Sequence, residues 1–526
     1  MIGVATTPEA LPVAQEFFEL FKTPWEPAVP GRRYAAVLGC GSAVDHLDGE
    51  AVVLYEPDRR PDGARVSGGV AGTAPLRLDA ANGVTIPLYT SAASGIENGI
   101  RLATDRVGRP LCRFGYDLFA EVRHLLTEGQ PERFSAIPTL DLHIELLRRA
   151  LRQLQVPFVE IPPRPAGYDF TCCLTHDIDF HSLRRSRVRP LLGFAWRASV
   201  GSALDVLRGR RPVSEAALNW VSLVTLPLVL LGLARDPWQP FRDYGEADAG
   251  IPATYFVIPF AGQPGLPFNG AVRADRAVAY GVGDVQGDAR AVLARGDELA
   301  VHGIDAWHDA ASAGGELAAV AGATGTSSRG VRMHWLYFTT CSPRVLEDAG
   351  FEYDSTCGYN GAVGYRAGTA QVFKPLSATR LLELPLSVMD TALFFTGRMG
   401  LSRSEARARW QPIVDHARRT GGPIVINWHD RSLAPERLWR EPYETLLADV
   451  KGAGRVWFAS AQDAVAWFRW RRSIRFDVLS SGVVRVHSAS RAGHLPAATI
   501  TISRPQPAAV PELVPHDGSQ PQEVRL

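Results

Sequence analysis

Cysteine is scarce in this chain: six residues in 526, with no Cys-x-x-Cys pair and no dense framework. A disulfide-stapled scaffold is thereby excluded, and a reducing, cytoplasmic compartment is expected. Cys172 and Cys173 are adjacent on an apolar run, would point to opposite faces of a strand and cannot easily bridge. Charge of one sign is also lacking. The net charge is +1, and no interleaved basic and aromatic pattern is present, so nucleic acid is not an expected partner. The first 21 residues have no basic leader followed by a long apolar stretch, so no secretory signal is read there. Internal repeats are absent. What remains is the composition of an ordinary globular protein, 46% hydrophobic and 21% charged, long enough for several domains.

Residues 1–165 read as an α/β domain. Tyr34–Leu38, Ala51–Tyr55 and Val84–Leu88 are expected strands, and Asp117–Leu126 and Leu140–Leu154 are helices with apolar spacing near 3.6. Gly39-Cys-Gly-Ser42 resembles a fragment of a phosphate loop but lacks its Lys and third Gly, so a turn is expected. Pro162-Pro163-Arg164-Pro165 marks a linker. Residues 166–471 alternate short apolar strands with helices. The strands are Phe170–Thr175, Ala253–Ile258, Glu298–His302, Gly330–His334, Phe351–Tyr353, Leu382–Leu386, Ile424–Trp428 and Val456–Ala459. Such a series predicts a parallel β/α barrel, whose strand C-termini gather at one mouth. Residues 472–504 alternate apolar and polar side chains and read as a small β appendage. The Pro- and Gln-containing tail, 505–526, is expected to be disordered.

An insertion at 182–240 interrupts the barrel. Segment 182–214 carries eight Arg (184, 185, 187, 189, 197, 208, 210, 211) against one acid, Asp205. Ala216–Ala234 then runs 19 residues without a charge. A single membrane span conflicts with strands of one barrel on either side. The insertion therefore either meets an anionic membrane surface through 182–234 or packs on protein, whether the N-terminal domain or a second subunit. The oligomeric state is not readable from the sequence.

The chemistry concentrates at Thr175-His-Asp-Ile-Asp179. Two carboxylates two residues apart at the end of a buried strand are costly unless a cation holds them, and a divalent metal is the simplest candidate. His302-Gly-Ile-Asp-Ala-Trp-His308 offers nitrogen ligands, with Asp305 in reserve, because histidines six apart on a helix would diverge and Gly303 must open a turn. Arg332 is placed to hold a carboxylate ionised. His429, at the end of Ile424–Trp428, would place a group titrating near neutrality at the mouth.

In this order, from about Phe170 to Trp470, these segments resemble the polysaccharide deacetylase family, also called NodB-homology or carbohydrate esterase family 4. Thr175–Asp179, Ala253-Thr-Tyr-Phe-Val257, the His302–His308 segment, Arg332, Gly350–Thr356, Glu383–Leu386 and Asn427–His429 carry the resemblance. It implies a deviant (β/α)7-8 barrel and a metal-dependent hydrolase, with zinc as the expected ion. It also implies an N-acetylated saccharide of an exopolysaccharide or its precursor as substrate. By position, Asp177 becomes the general base, Asp179, His302 and His308 the metal ligands, His429 the general acid, Arg332 the group orienting Asp177, and Asp390 a partner of His429. Trp307, Trp335 and Trp428 would offer sugar-stacking faces. Two departures stand out. The His302–His308 spacing exceeds the family's usual three residues, and Met333-His334 replaces a common Pro, so that His334 could itself contact substrate or metal. Three other readings are carried: a non-catalytic carbohydrate-binding or assembly protein on the same barrel, a hydrolase of another non-peptide C–N bond, and an HD-type phosphohydrolase suggested by His176-Asp177.

Overall fold

A curled, all-parallel sheet carries the central part of the chain. Its order is Leu382–Glu383, Tyr353–Asp354, Gly330–Met333, Glu298–Gly303, Ala253–Val257, Phe170–Ile178, Ile424–Asn427 and Val388–Met389. Val456–Phe458 pairs in parallel with the first three residues of Phe170–Ile178. The two ends of the order belong to one stretch, 382–389, which pairs with Tyr353–Asp354 on one side and with Ile424–Asn427 on the other. That single bent segment closes the sheet into a deviant β/α barrel. The computed structural model describes residues 1–56, 76–77, 85–90, 101–186, 188–208, 213–480, 482–505 and 511–526.

Phe170–Ile178 is buried along its whole length, as a central parallel strand covered on both faces should be. Helices including Gln286–Ala294, Ala310–Thr324, Arg403–Thr420 and Ala461–Ser473 pack apolar sides onto it and its neighbours in one continuous core. Arg403–Thr420 starts where the sequence marks a boundary. Ser402 accepts from the Glu405 amide, Glu405 returns a bond to the Ser402 amide, and Gly421 ends the helix at φ +88°.

The N-terminal sheet has six strands, in the order Trp25–Pro27, Ile2–Thr6, Ala36–Cys40, Val52–Tyr55, Pro110–Phe114 and Arg101–Thr104. Only the last pair is antiparallel. Ile2–Thr6 and the following helix, Leu11–Phe21, escape the sequence reading, although Val13, Phe17 and Phe18 lie in this domain's core. Of the expected Val84–Leu88 strand, Thr85–Ile86 is a strand and Val84 lies outside the described residues. Of Gly39–Ser42, Gly39 and Cys40 end the Ala36–Cys40 strand, and only Gly41 and Ser42 bend away from it. No helix starts there to bind a phosphate, and the chain runs on to the short Asp48–Gly49 strand. The domain is stapled to the barrel by Arg471. This fully buried side chain donates to the carbonyls of Glu19 at 3.1 Å, Leu20 at 3.0 Å and Ile161 at 3.0 Å.

The tail is not disordered where it is described. Glu512–His516 pairs with Ala498–Ser503, which in turn pairs with Phe158–Glu160 beside the Pro-rich linker. Gln522–Arg525 joins Arg475–Ser480 and Val483–His487 in a second antiparallel sheet. Composition suggested disorder, but buried Val524 and His516 anchor both strands. The appendage therefore reaches the end of the chain and also takes a strand from residues 158–160.

The insertion folds as Val188–Trp196, a wide π turn at Arg197–Gly201, Ser202–Leu207, Val213–Val224 and Leu226–Leu230. The uncharged run breaks at Thr225, and among the described residues no helix is long and apolar enough to cross a membrane. Leu183, Phe194, Ala198 and Trp238 pack with Ala434 of the barrel into a small separate core. Arg187, Arg210 and Arg211 lie outside the described residues.

Candidate active site

Strand alternation builds the site. Along Phe170–Ile178 every second side chain faces the barrel interior, which brings Thr175, Asp177 and, just beyond the end, Asp179 to one mouth. His176 faces the other way. It is fully buried, its ring 3.7 Å from that of Tyr244, with Nε2 3.2 Å from Asp248 and Nδ1 3.0 Å from the Trp428 carbonyl. His176 is thus a core residue, and the HD-type phosphohydrolase reading loses its first ligand. Asp177 and Asp179 line a cavity of ≈ 1090 Å³.

Asp177 is held from two sides. Arg332 donates to Oδ1 at 3.0 Å and Asn427 to Oδ2 at 2.7 Å. Arg332 is itself fully buried and also donates to Thr175 Oγ1 and to the carbonyl and hydroxyl of Ser355. Burial alone would raise the Asp177 pKa, but the Arg332 guanidinium, then His302 and His429, bring it below its ordinary value. Asp177 is therefore an oriented carboxylate. Asn427 was not assigned a role from the sequence. Its signal was its position two residues before His429, on the same strand face.

His429 faces Asp177 across the mouth, with Nε2 4.0 Å from Asp177 Oδ2. Asp390 sits behind it and accepts from His429 Nδ1 at 2.6 Å and from the His429 amide at 2.7 Å. Ser432 donates to the same carboxylate. Burial alone would lower the imidazole pKa, but Asp390, then Asp177 and Asp179, raise it to about 9. With Nδ1–H committed to Asp390, Nε2 is the proton-bearing atom that faces the cavity.

Asp179, His302 and His334 converge, their ligand atoms within 4.8 Å of one another. Asp179 Oδ1 is 3.3 Å from His302 Nε2 and 3.0 Å from His334 Nδ1, and the two imidazole nitrogens are 2.9 Å apart. With ligand bonds of about 2.1 Å, such separations match the edges of a tetrahedral or octahedral shell, about 3.0–3.4 Å. Two further features fit a cation. Asp179 Oδ1 is buried without a hydrogen-bond partner, and His302 Nδ1 is engaged by the Arg332 carbonyl at 3.0 Å, which leaves the Nε2 lone pair toward the site.

His308 is not part of this cluster. Its Nδ1 pairs with Asp309 at 3.1 Å, and its Nε2 is 4.0 Å from Asp305. Asp305 accepts from the Leu266 amide and likewise stays outside. The third donor is His334 for two reasons. His302 and Arg332 are in register on neighbouring parallel strands, so the residue two beyond Arg332 returns to the same inward face. The backbone then turns at Trp335 (φ 66°) and Leu336 (φ 55°), two left-handed residues that store strain at the site. Gly303 lets these strands approach, since a Cβ there would lie 2.6 Å from Met333 Sδ.

Of the aromatic candidates, Trp335 lines the cavity, its ring 4.0 Å from that of His334. Trp428 does not. It is fully buried among Phe394 and Tyr443, because its place on the strand alternates outward. Trp307 stacks with Phe268 and contacts Tyr337, away from the cavity lining.

The chain matches no protein-family model and no curated protein sequence. Among solved structures it is similar to the Puue allantoinase, at 17% identity over 58% of this chain and 92% of that one, with a TM-score of 0.35. It is equally similar to a "probable polysaccharide deacetylase from Pseudomonas aeruginosa PAO1", at 17% identity over 59% of this chain and 94% of that one, also with a TM-score of 0.35.

Proposed function

We propose that this protein is a metal-dependent hydrolase that removes an N-acetyl group from a sugar. The observation that carries the reading is the opposition of Asp177 and His429 in a cavity also lined by the Asp179–His302–His334 triad. Each of the two has its own buried partner, Arg332 and Asp390 respectively. The motif order in the sequence supports the same chemistry.

Asp179, His302 and His334 would hold a divalent ion, with zinc suited to two imidazoles and one carboxylate. When bound, that ion supplies Lewis acidity to the acetyl carbonyl and to the attacking water. Asp177 accepts the water proton as the new C–O bond forms at the carbonyl carbon. Arg332 and Asn427 keep the Asp177 oxygens aimed while this happens. His429 gives the Nε2 proton to the departing nitrogen as the C–N bond breaks, leaving acetate and a free amine. Asp390 stabilises the imidazolium before transfer and fixes its orientation.

The test is acetate release from N-acetylglucosamine oligosaccharides by the zinc-loaded protein. Asp177→Asn and His429→Ala should each lower kcat by about 10²–10⁴-fold. Unchanged rates in both would overturn the assignment.

A further inference from the structure

Beyond the reacting groups, the cavity wall carries five arginines that this chemistry leaves unused. Arg276 lies on the Trp335 ring and bonds Tyr337, and Arg398 bonds Thr391. The other three are Arg197 from the insertion, and Arg431 and Arg437 after the His429 strand. The Nε atoms of Arg197 and Arg431 are buried without a hydrogen-bond partner. The Arg431 guanidinium lies 4.1 Å from the Phe180 ring and 5.0 Å from Trp238, and its Nε is 3.9 Å from Asp430 Oδ1. Arg197 folds over Gly193, where a Cβ would come within 3.4 Å of the guanidinium. Arg437 contacts the rings of Phe395 and Trp439 and reaches Ser432 Oγ at 3.4 Å.

Two acids lie among them. Burial holds Asp430 up to about 7 and raises Glu436, which accepts from Trp238 Nε1 at 3.0 Å. Arg197 and Arg431, each with a buried Nε that meets no acceptor, are thus only partly satisfied. Unpaired buried charge is expensive, and a phosphate oxyanion matches the guanidinium fork.

The outer faces of the same insertion are apolar. On Val188–Trp196, the π turn and the start of Ser202–Leu207, Phe194, Ala198 and Ser202 point inward, while Leu192, Trp196 and Val200 recur every fourth residue on the solvent side. Leu192 both lines the cavity and is 65% exposed. Among the described residues, 13 of the 22 exposed large apolar side chains lie between Leu192 and Leu233, so this surface is unlike the rest of the molecule.

We propose that Arg197, Arg431 and Arg437 form a phosphate subsite, and that the apolar faces of the insertion take a hydrocarbon chain. The substrate is then a saccharide joined through phosphate to a lipid. A nucleotide-linked sugar would satisfy the arginines equally, but it would leave the apolar surface beside Leu192 without a partner. The inference rests on the deacetylase reading only for the reaction performed, not for binding.

The experiment has a binding arm and a turnover arm. Calorimetry with inorganic pyrophosphate compares the zinc-loaded wild type with Arg431→Ala and Arg197→Ala, two changes on separate elements, each checked for native near-UV circular dichroism. Both should weaken binding by about tenfold or more. Equal affinity in all three proteins overturns the subsite. Acetate release is then compared for N-acetylglucosamine linked through diphosphate to farnesyl, the same sugar linked to uridine, and the free sugar. The farnesyl compound should be turned over best, with its advantage over the free sugar reduced in Arg431→Ala. A uridine preference overturns the lipid assignment. Arginine-dependent pyrophosphate binding without acetate from any compound leaves the subsite standing and removes the deacetylase reading instead.

Discussion

His334 Nδ1 stands 2.9 Å from His302 Nε2, with Asp179 Oδ1 within 3.3 Å of both. Two imidazole nitrogens at that distance must share a proton or a cation. His302 Nδ1 is already engaged by the Arg332 carbonyl, so its Nε2 presents a lone pair. The arrangement could hold a cation, and under the proposed reading His334 is its third ligand. His334→Ala should therefore cut zinc affinity by well over about tenfold, whereas His308→Ala should leave it within about twofold. Metal content after dialysis, measured by mass spectrometry, reads both. The reverse pattern would restore His308.

The His429–Asp390 pair sets an alkaline limit. A general acid works only while protonated, and His429 has its pKa raised to about 9. Activity is thus retained through neutrality and lost as the pH rises through about 9. Asp390→Asn removes the largest raising interaction, so the alkaline limb should move to lower pH by at least about one unit. A pH profile of kcat for the two proteins checks this, and an unmoved limb would separate His429 from the acid role.

Arg332 is both a positioning residue and a buried charge. Removing it leaves Asp177 ionised without its cation, so Arg332→Ala should lose about 3–5 kcal/mol of stability as well as activity. Arg332→Lys restores the charge without the fork that also reaches Ser355, and it should recover more stability than kcat. Thermal unfolding paired with initial rates distinguishes the two effects. Equal recovery of both would mean that Arg332 supplies charge alone.

Arg471 tests the junction between the N-terminal domain and the barrel. Its bonds to Glu19, Leu20 and Ile161 cross that junction, and its neighbour Arg472 pairs with Glu16 at 2.7 Å. Arg471→Ala should destabilise the chain by about 3 kcal/mol, since the buried carbonyls of Leu20 and Ile161 and the half-buried one of Glu19 lose a charged donor. Limited proteolysis should then cut the Pro162–Pro165 linker faster. Unchanged cutting would mean that the β pairing of Phe158–Glu160 alone holds the domains together.

The parts of the site that were legible follow from one rule: parallel strands deliver their C-terminal residues to one mouth. Asp177, Asp179, His302, Arg332 and His429 could each be placed from an apolar run and its last residue. Asp390 was harder, because it follows Val388–Met389, a two-residue strand on a bent segment. His334 was named only as a contact of substrate or metal, since its role depends on a left-handed turn at Trp335 that no local pattern announces. Trp428 was misplaced because neighbourhood in sequence to His429 means the opposite face on a strand. The tail shows a different limit. Its composition reads as polar and irregular, and its order comes from long-range pairing with strands begun at Ala498 and Val483.

The central claim is tested most directly by comparing wild type and Asp177→Asn at full zinc occupancy, with acetate release from an N-acetylated oligosaccharide as the readout. Both proteins should bind one zinc per chain, because Asp177 lies outside the Asp179–His302–His334 triad. The wild type should release acetate, and the variant should do so at least about 10²-fold more slowly. Equal release by the two, or a wild type that binds zinc and releases none, would contradict the account.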